Sequence, residues 1–231
     1  MSVALVTGAG GGLGRAIVAA LEGDGWTVAS SDLPGSGMAW EEDLRRPDGC
    51  AELVASVIGA HSRLDLLVNN AATMYHGNLD GADLERWWDT IDVNLSAPLR
   101  LARAAAAPLR QANGQILNVA SSFGVMAAAG YSAYCASKAG LIGLTKALAL
   151  ELAPVVRVNA IAPGHMDTPQ QAVDAMAAGL TREQLYDQYA RTIPIGRILD
   201  PAEVARLVVY LGGARGFTGS CVHLNGGGLL V

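Results

Sequence analysis

The sequence predicts an α/β fold: a single-domain, doubly wound parallel sheet of about seven strands, with helices on both faces. Short apolar segments alternate along the chain with longer helical segments, which is the pattern of parallel strands joined by helical crossovers. No linker or internal repeat interrupts this alternation, so residues 1–231 are expected to form one domain. This length is enough for one well-buried core.

The clearest local signal is a strand, a glycine-rich turn and a helix in succession. Residues 2–6 are apolar and partly β-branched, residues 7–14 are rich in glycine, and residues 15–22 have helical character. Glycines permit a tight turn and let backbone N–H groups approach a pyrophosphate at the positive end of a helix. A flexible loop is the alternative, but the flanking strand and helix favour a dinucleotide site. Its predicted contacts are Gly8, Gly10, Gly11, Gly12, Leu13 and Gly14.

Asp32 follows the second predicted strand, residues 26–31, and stands eighteen residues beyond Gly14. An acidic residue at about this separation binds the adenosine ribose hydroxyls, and its charge repels a 2′-phosphate. Gly11 occupies the loop position where a phosphate-binding arginine would stand, and no Lys or Arg closely follows Asp32. The sequence therefore favours NAD over NADP. The alternative is that Asp32 only caps the turn before Pro34.

The remaining elements continue the alternation. Asp43 and Leu44 are expected to end a short third strand and to border the adenine. Helices are predicted over residues 47–60, 79–93, 95–111, 131–152 and 201–211, and strands over residues 64–68, 115–120, 155–161 and 222–224. A polar helical insert is predicted over residues 168–191, inside a substrate-loop region of about 165–195.

Tyr134 and Lys138 lie four residues apart in a predicted helix, so the phenol and the ammonium share one face. A nearby cation favours phenolate, and we expect Lys138 to lower the pKa of Tyr134 towards the range of a general base. Ser121, thirteen residues before the tyrosine, offers a hydroxyl that can hold a substrate oxygen. A Tyr-x-x-x-Lys spacing alone is common by chance, so the other motifs decide its meaning.

Several motifs in order make the chain similar to the short-chain dehydrogenase/reductase family, the type with a Rossmann fold and an Asn-Ser-Tyr-Lys tetrad. The resemblance covers the whole chain. It is carried by the Thr7–Gly14 loop, Asn69-Asn70-Ala71-Ala72, Asn94, Ser121, Tyr134, Lys138, the Pro163-Gly164 turn, Thr168 and Asn225-Gly226-Gly227. Ala72 departs from the family's glycine, and this narrows the space near the cofactor.

The resemblance implies a role for each member of the tetrad. Tyr134 is the general base or acid, Lys138 also holds the nicotinamide ribose, and Ser121 orients the substrate oxygen. Asn94 helps to carry the proton relay through a water. Ser122 is the alternative to Ser121, which has the family's spacing to the tyrosine. The implied cofactor contacts further include Asp32, Asp43, Leu44, Asn70, Ala71, Ala72, Tyr134, Lys138, Pro163, Gly164, Met166 and Thr168.

By the same analogy a substrate pocket is walled by Tyr75, His76, Phe123, Met126, Tyr131 and His165, although each could be ordinary loop surface. This mostly apolar wall suits a cyclic or aromatic secondary alcohol. The insert is interpreted either as a mobile lid or as plain packing. The leading hypothesis is an NAD-dependent alcohol dehydrogenase. The alternatives are a ketoreductase or dihydrodiol-type dehydrogenase, and a catalytically silent NAD-binding regulatory protein.

Composition limits the partners and the compartment. The formal net charge of −5 argues against nucleic-acid or acidic-membrane binding, and no apolar segment is long enough for a membrane span. The N-terminus enters the first strand without a signal peptide, and three widely spaced cysteines fit a reducing cytoplasm. No histidine or cysteine spacing indicates a metal. The alanine-rich helix from residue 95 and the tyrosine-bearing helix resemble those that pair in the family's assemblies, so we expect a homotetramer, or failing that a dimer.

Overall fold

Seven parallel strands form one sheet, in the order β3-β2-β1-β4-β5-β6-β7. The computed structural model describes residues 1–229, except the side chains at positions 170, 173, 174 and 177. The strands are β1 (Val3–Thr7), β2 (Thr27–Asp32), β3 (Trp40–Glu41), β4 (Leu66–Asn69), β5 (Gln115–Val119), β6 (Arg157–Pro163) and β7 (Cys221–Leu224). The predicted fold class, a doubly wound parallel sheet of seven strands, is confirmed.

Eight α-helices are found in the described part of the chain. They are α1 (Gly12–Gly23), α2 (Gly49–His61), α3 (Leu84–Ile91), α4 (Ala97–Ala112), α5 (Ser132–Leu152), α6 (Gln170–Ala177), α7 (Arg182–Thr192) and α8 (Pro201–Gly213). Successive side chains of a strand point to opposite faces. Leu5 of β1 therefore packs with the core under α2, α4 and α5, whereas Val6 packs with the core under α1 and α8.

The strand order reverses beside β1. Val6 pairs with Ser30 of β2 on one side and with Val68 of β4 on the other. The chain builds the sheet outwards to β3, then returns to the far side of β1 for β4. In such sheets, ligands bind outside the carboxyl ends of the strands at this reversal, which positions the functional site.

Two predicted boundaries were wrong for reasons of local hydrogen bonding. The third strand covers Trp40–Glu41 and does not extend to Asp43, because the Asp43 carboxylate accepts the Arg45 N–H at 3.0 Å and turns the chain. The helix predicted from residue 79 begins at Leu84. Asp83 caps it by accepting the Arg86 N–H at 3.2 Å.

The two helices predicted on either side of residue 94 form one continuous helical segment. A π-helical turn, Asp92–Ser96, joins α3 to α4. Pro98 explains the irregularity, because proline has no N–H to give to the carbonyl of Asn94 and its ring would clash with that carbonyl in a regular α-helix. π turns of this kind are frequent at functional sites.

The insert predicted over residues 168–191 contains two helices. α6 and α7 are separated by a turn at Gly179, which has a φ of +69°, and Thr181 begins α7 with a capping box. A parallel bridge between Met166 and Leu199 closes the base of the insert. Among the described residues, no helix is both long and apolar enough to span a bilayer.

Candidate active site

A cleft of about 1290 Å³ runs along the carboxyl ends of the strands. All eighteen residues predicted to contact a dinucleotide lie on it: Gly8, Gly10, Gly11, Gly12, Leu13, Gly14, Asp32, Asp43, Leu44, Asn70, Ala71, Ala72, Tyr134, Lys138, Pro163, Gly164, Met166 and Thr168. Ser121, Phe123, Met126, Tyr131 and His165 also line the cleft. Asn94, Tyr75 and His76 lie outside its lining.

The glycine loop is shaped by close backbone approach. Gly8 has a φ of +63°, and a side chain there would bring its Cβ to 2.7 Å from the Cα of Ala71. At Gly14 a Cβ would lie 2.0 Å from the Gly8 carbonyl oxygen. Gly11 precedes α1 without a side-chain cap, so the first-turn N–H groups face the cleft without a side-chain acceptor. This end of α1 fits the pyrophosphate of a dinucleotide.

Hydrogen bonds between β1 and β4 hold this loop at the sheet reversal. The Thr7 hydroxyl accepts the N–H groups of Asn70 at 3.2 Å and Ala71 at 3.1 Å. The Asn70 amide donates in return to the Thr7 and Gly8 carbonyls, at 2.9 and 3.0 Å. The Asn-Asn-Ala-Ala motif is therefore a brace that fixes the glycine loop in place.

Acidic side chains occupy the far end of the cleft, where the adenosine half is expected. Asp32 accepts the Gly10 N–H at 2.7 Å and the Leu33 N–H at 2.8 Å, which places its carboxylate against the loop. Arg45 forms an ion pair with Asp43 at 2.7 Å and with Asp89 at 3.0 Å. The hydrogen bond with Arg45 lowers the pKa of the Asp43 carboxyl below its ordinary value. Sequence analysis did not predict the place of Arg45 on this cleft.

Ser121 and Tyr134 meet at the centre of the cleft. Both residues line the cleft, where the Ser121 hydroxyl lowers the pKa of Tyr134 against the effect of burial and accepts the Phe123 N–H at 3.2 Å. The neighbouring Ser122 donates its hydroxyl to the Pro163 carbonyl at 2.9 Å. The structure thus brings Ser121 to the tyrosine and uses Ser122 to tie this loop to β6.

Lys138 lies beneath the tyrosine and is only 2% exposed. Its Nζ donates to the Val119 carbonyl at 2.8 Å and lies 5.6 Å from the centroid of the Tyr134 ring. Burial lowers the pKa of Lys138 to about 8. Burial also raises the pKa of Tyr134, with the Ser121 hydrogen bond acting in the opposite direction. The expectation that Lys138 depresses the tyrosine pKa was wrong for this structure, because desolvation dominates.

Asn94 supports the site from behind. It is fully buried in the π turn, where its side chain accepts the Thr73 N–H and donates to the Thr73 carbonyl, both at 2.9 Å. Its amide also donates to the Ser137 hydroxyl at 3.1 Å, and Ser137 donates to the Tyr134 carbonyl at 2.8 Å. The Asn94 side chain therefore joins the loop after β4 to the helix that carries the tyrosine.

Aromatic rings wall the cleft beside Tyr134. Phe123 stacks on Tyr131 with centroids 5.4 Å apart and presents an edge to Tyr134 at 6.1 Å. His165, near the base of the insert, stacks on Tyr189 of α7 at 3.7 Å and lies edge-on to Phe123 at 6.5 Å. We name these rings, Phe123, Tyr131, His165 and Tyr189, the aromatic wall. Tyr189, Thr73, Met74 and Gln171 also line the cleft.

Tyr75 and His76 were predicted to line the substrate pocket, and this was wrong. Tyr75 is 6% exposed, and its hydroxyl accepts the Asp83 N–H at 2.7 Å, so it anchors the turn before α3. His76 packs behind the aromatic wall, 4.7 Å from the Tyr131 ring. Tyr75 and His76 were expected in the pocket because they follow the Asn-Asn-Ala-Ala motif. The hydrogen bond from the Asp83 N–H, at the start of α3, instead holds the Tyr75 side chain outside the cleft.

The assembled site, with Lys138 buried beneath Tyr134 and Ser121 at the centre of the cleft, is the arrangement expected of an oxidoreductase that uses a nicotinamide cofactor. The family profile described as Enoyl-(Acyl carrier protein) reductase matches residues 8–228. This chain belongs to the short-chain dehydrogenase/reductase family. Among the described residues, no group of three or more His, Cys, Asp or Glu side chains is arranged to hold a metal ion.

Two relatives illustrate the range of the family. An uncharacterized short-chain type dehydrogenase/reductase of Sinorhizobium fredii, y4vI, is 39% identical over 99% of this chain, which spans only 44% of that protein. A 3-oxoacyl-[acyl-carrier-protein] reductase of Vibrio cholerae is 34% identical, with 99% of this chain and 98% of the relative covered. Similarity of this kind places the chain among the oxidoreductases of this family and leaves the substrate open.

Two solved structures share the fold. The aldohexose dehydrogenase of Thermoplasma acidophilum, in ligand-free form, has a TM-score of 0.93 and 30% identity, covering 98% of this chain and 93% of its own. A variant of the actinorhodin polyketide ketoreductase with NADPH has a TM-score of 0.91 and 32% identity, covering 98% and 96%. The similar structures thus include a sugar dehydrogenase and an enzyme solved with NADPH.

Proposed function

We propose that this protein is an NAD(H)-dependent oxidoreductase that interconverts a cyclic or aromatic secondary alcohol and the corresponding ketone. The observation that carries the cofactor assignment is the Asp32 carboxylate at the end of β2, held against the glycine loop by the Gly10 N–H at 2.7 Å. A carboxylate there accepts from ribose hydroxyls and repels a 2′-phosphate. Two arginines line the cleft: Arg15 of α1, and Arg45, which is paired with Asp43 and Asp89.

The aromatic wall supports the substrate class. Phe123 and Tyr131 are nearly parallel, with 12° between their planes, and Phe123 borders the Tyr134 ring. Flat apolar rings favour ring-shaped ligands through stacked and edge-on contacts, and a few polar groups then fix the orientation. A substrate ring placed against Phe123 would bring its oxygen towards Ser121 and Tyr134.

Each catalytic side chain has one task in this proposal. When bound, NAD(H) accepts or supplies the hydride at the substrate carbon. Ser121 holds the substrate oxygen, and Tyr134 takes its proton during oxidation or returns one during reduction. An ammonium has three N–H donors, and Lys138 directs one to the Val119 carbonyl, which leaves donors for the ribose hydroxyls. The π turn and Asn94 hold the loop after β4 in a fixed position relative to α5.

A ketoreductase would run the same reaction in the reducing direction, with the Tyr134 phenol giving its proton to the carbonyl oxygen. A dihydrodiol-type dehydrogenase would use the same groups on a ring with two hydroxyls. A catalytically silent NAD-binding protein is the remaining alternative. The joint presence of Ser121, Tyr134 and Lys138 in one cleft argues against it.

The insert, the assembly and the compartment complete the proposal. The insert of residues 165–195 acts as the substrate loop, since it carries His165 and Tyr189 to the cleft. A homotetramer or dimer through α4 and α5 is supported by exposed apolar side chains on these helices, Leu99 at 48% and Leu150 at 84%. Three free cysteines are compatible with action in the cytoplasm.

A substrate panel tests the proposed function. Purified protein is assayed with NAD⁺ and with NADH on cyclic and aromatic alcohols and ketones, beside linear alcohols, an aldohexose and a 3-oxoacyl thioester. The proposal predicts the highest kcat/KM for a ring substrate with NAD(H). A preference for the thioester or the aldohexose would reject the substrate class. Binding of NADH without turnover of any compound would favour the silent protein.

A further inference from the structure

Gln171 carries a buried hydrogen-bond acceptor that the mechanism above does not use. It lies in the first turn of α6, where its N–H donates to the Thr168 carbonyl at 3.0 Å, and its side chain faces the cleft. The Gln171 Oε1 atom is buried and has no hydrogen-bond partner among the described residues. Buried polar atoms are nearly always paired in native proteins, and because Gln171 lines the cleft its oxygen is a candidate acceptor for a donor on a ligand.

The surroundings of Gln171 indicate which part of the ligand it faces. Thr168 and Pro169 pack directly on the start of α1: a Cβ at Gly12 would lie 2.8 Å from Pro169 Cδ and 3.2 Å from Thr168 Cβ. The segment from Pro163 to Thr168 leaves β6, at the opposite end of the cleft from Asp32 on β2. Gln171 is therefore near the nicotinamide half of a dinucleotide that spans the cleft.

An amide oxygen can only accept a hydrogen bond, and this limits which group of the ligand can be its partner. A pyrophosphate offers only acceptors and cannot satisfy Oε1. The nicotinamide half offers two kinds of donor, the carboxamide N–H₂ and the ribose hydroxyls. We propose that Gln171 Oε1 accepts a hydrogen bond from one of these donors and so fastens α6 onto the bound cofactor. This inference rests on the proposed nicotinamide cofactor but not on the preference for NAD over NADP.

Such a bond would couple cofactor binding to the position of the whole insert. Asp167, just before α6, accepts a hydrogen bond from Tyr186 of α7 at 2.7 Å and also pairs with Arg182. α6 and α7 are thereby linked through one carboxylate, and Tyr189 lies one turn after Tyr186 on α7. Cofactor binding would then fix the position of the aromatic wall through Gln171. This makes Gln171 a positioning residue for the substrate loop.

The test compares Gln171→Leu with Gln188→Leu, an exposed glutamine of α7 outside the cleft. NADH affinity is measured by fluorescence titration, and thermal unfolding is followed with and without NADH. We expect Gln171→Leu to bind NADH about three- to tenfold more weakly, the equivalent of one net hydrogen bond. Its unfolding temperature without NADH stays equal or rises, because an unpaired buried oxygen is removed. Gln188→Leu should match the wild type in both measurements.

A reduced analogue with an acetyl group in place of the carboxamide separates the two donors. If the carboxamide is the donor, the analogue binds wild type and Gln171→Leu with equal affinity. If a ribose hydroxyl is the donor, the loss seen with NADH persists with the analogue. Equal NADH affinity in wild type and Gln171→Leu would overturn the inference while leaving the proposed function intact. A wild type that binds neither NADH nor NADPH would overturn both.

Discussion

The two ends of the cleft are built in different ways. The cofactor end is made mostly of backbone: a glycine loop where a Cβ at Gly14 would lie 2.0 Å from a carbonyl oxygen, braced by Thr7 and Asn70. The substrate end is made of side chains from three separate segments, with Phe123, His165 and Tyr189 brought together only by the fold. The backbone-built end therefore suits one kind of ligand. The end built of side chains can be altered one residue at a time.

The largest expected effect is at the junction of the two ends. Tyr134→Phe removes the proton donor and acceptor but keeps the ring beside Phe123, so kcat should fall by about 10²–10⁴ while NADH affinity is retained. Steady-state kinetics and NADH titration measure the two quantities. Tyr210→Phe, on the exposed face of α8, is the matched control. Substantial residual turnover would refute the role of Tyr134.

The next effect concerns the cofactor end. Asp32→Asn keeps an acceptor for the Gly10 N–H but removes the negative charge. A unit charge within a few ångströms of a phosphate is worth about 1–4 kcal/mol, so the ratio of NADPH to NADH affinity should rise at least about fivefold. Asp187→Asn, on the exposed side of α7, should leave the ratio unchanged. An unaltered ratio in Asp32→Asn would mean that the ribose is recognised elsewhere.

A smaller effect is expected at the substrate end. Phe123→Ala removes the central ring of the aromatic wall, and ring pairs contribute about 0.5–1.5 kcal/mol beyond their buried area. KM for a ring substrate should rise up to about tenfold, with little change in NADH affinity. Phe217→Ala is the control, because Phe217, the other phenylalanine, lies edge-on to Tyr210 at 6.3 Å and does not line the cleft. Equal losses for ring and linear substrates would argue against selection by this wall.

The smallest effect is a pH dependence that differs with direction. Because burial raises the pKa of Tyr134, the phenol remains protonated through neutral pH. Alcohol oxidation needs the phenolate, so its kcat/KM should increase as the pH rises towards the tyrosine pKa. Ketone reduction needs the phenol and should hold constant, then decline. Rates measured in both directions from pH 6 to 10 check this, and parallel profiles would contradict it.

The residues predicted to contact the cofactor all lie on the cleft, because their determinants are contiguous in the sequence. The glycines, Asp32 and the Asn-Asn-Ala-Ala motif each follow a strand, and parallel strands deliver their carboxyl ends to one edge. The contact between Tyr189 and His165, by contrast, depends on how α7 packs in the assembled fold.

Two errors have the same physical origin. Tyr75 follows a cofactor motif, yet its hydroxyl is taken by the Asp83 N–H at the start of α3. The charge of Lys138 is visible in the sequence, but the burial that sets the pKa of Tyr134 is not. The sequence shows which residues are neighbours along the chain. The burial of a side chain and the groups that compete for its hydrogen bonds depend on the assembled fold.

The most direct test of the account is a parallel fluorescence titration of the wild-type protein with NADH and NADPH, with the ring-substrate panel run on the same sample. The account predicts NADH binding at least about fivefold tighter than NADPH, as expected from the Asp32 charge, and turnover of at least one ring substrate. Tighter binding of NADPH would contradict the reading of Asp32, and linear substrates turned over in preference to rings would contradict the role of the aromatic wall.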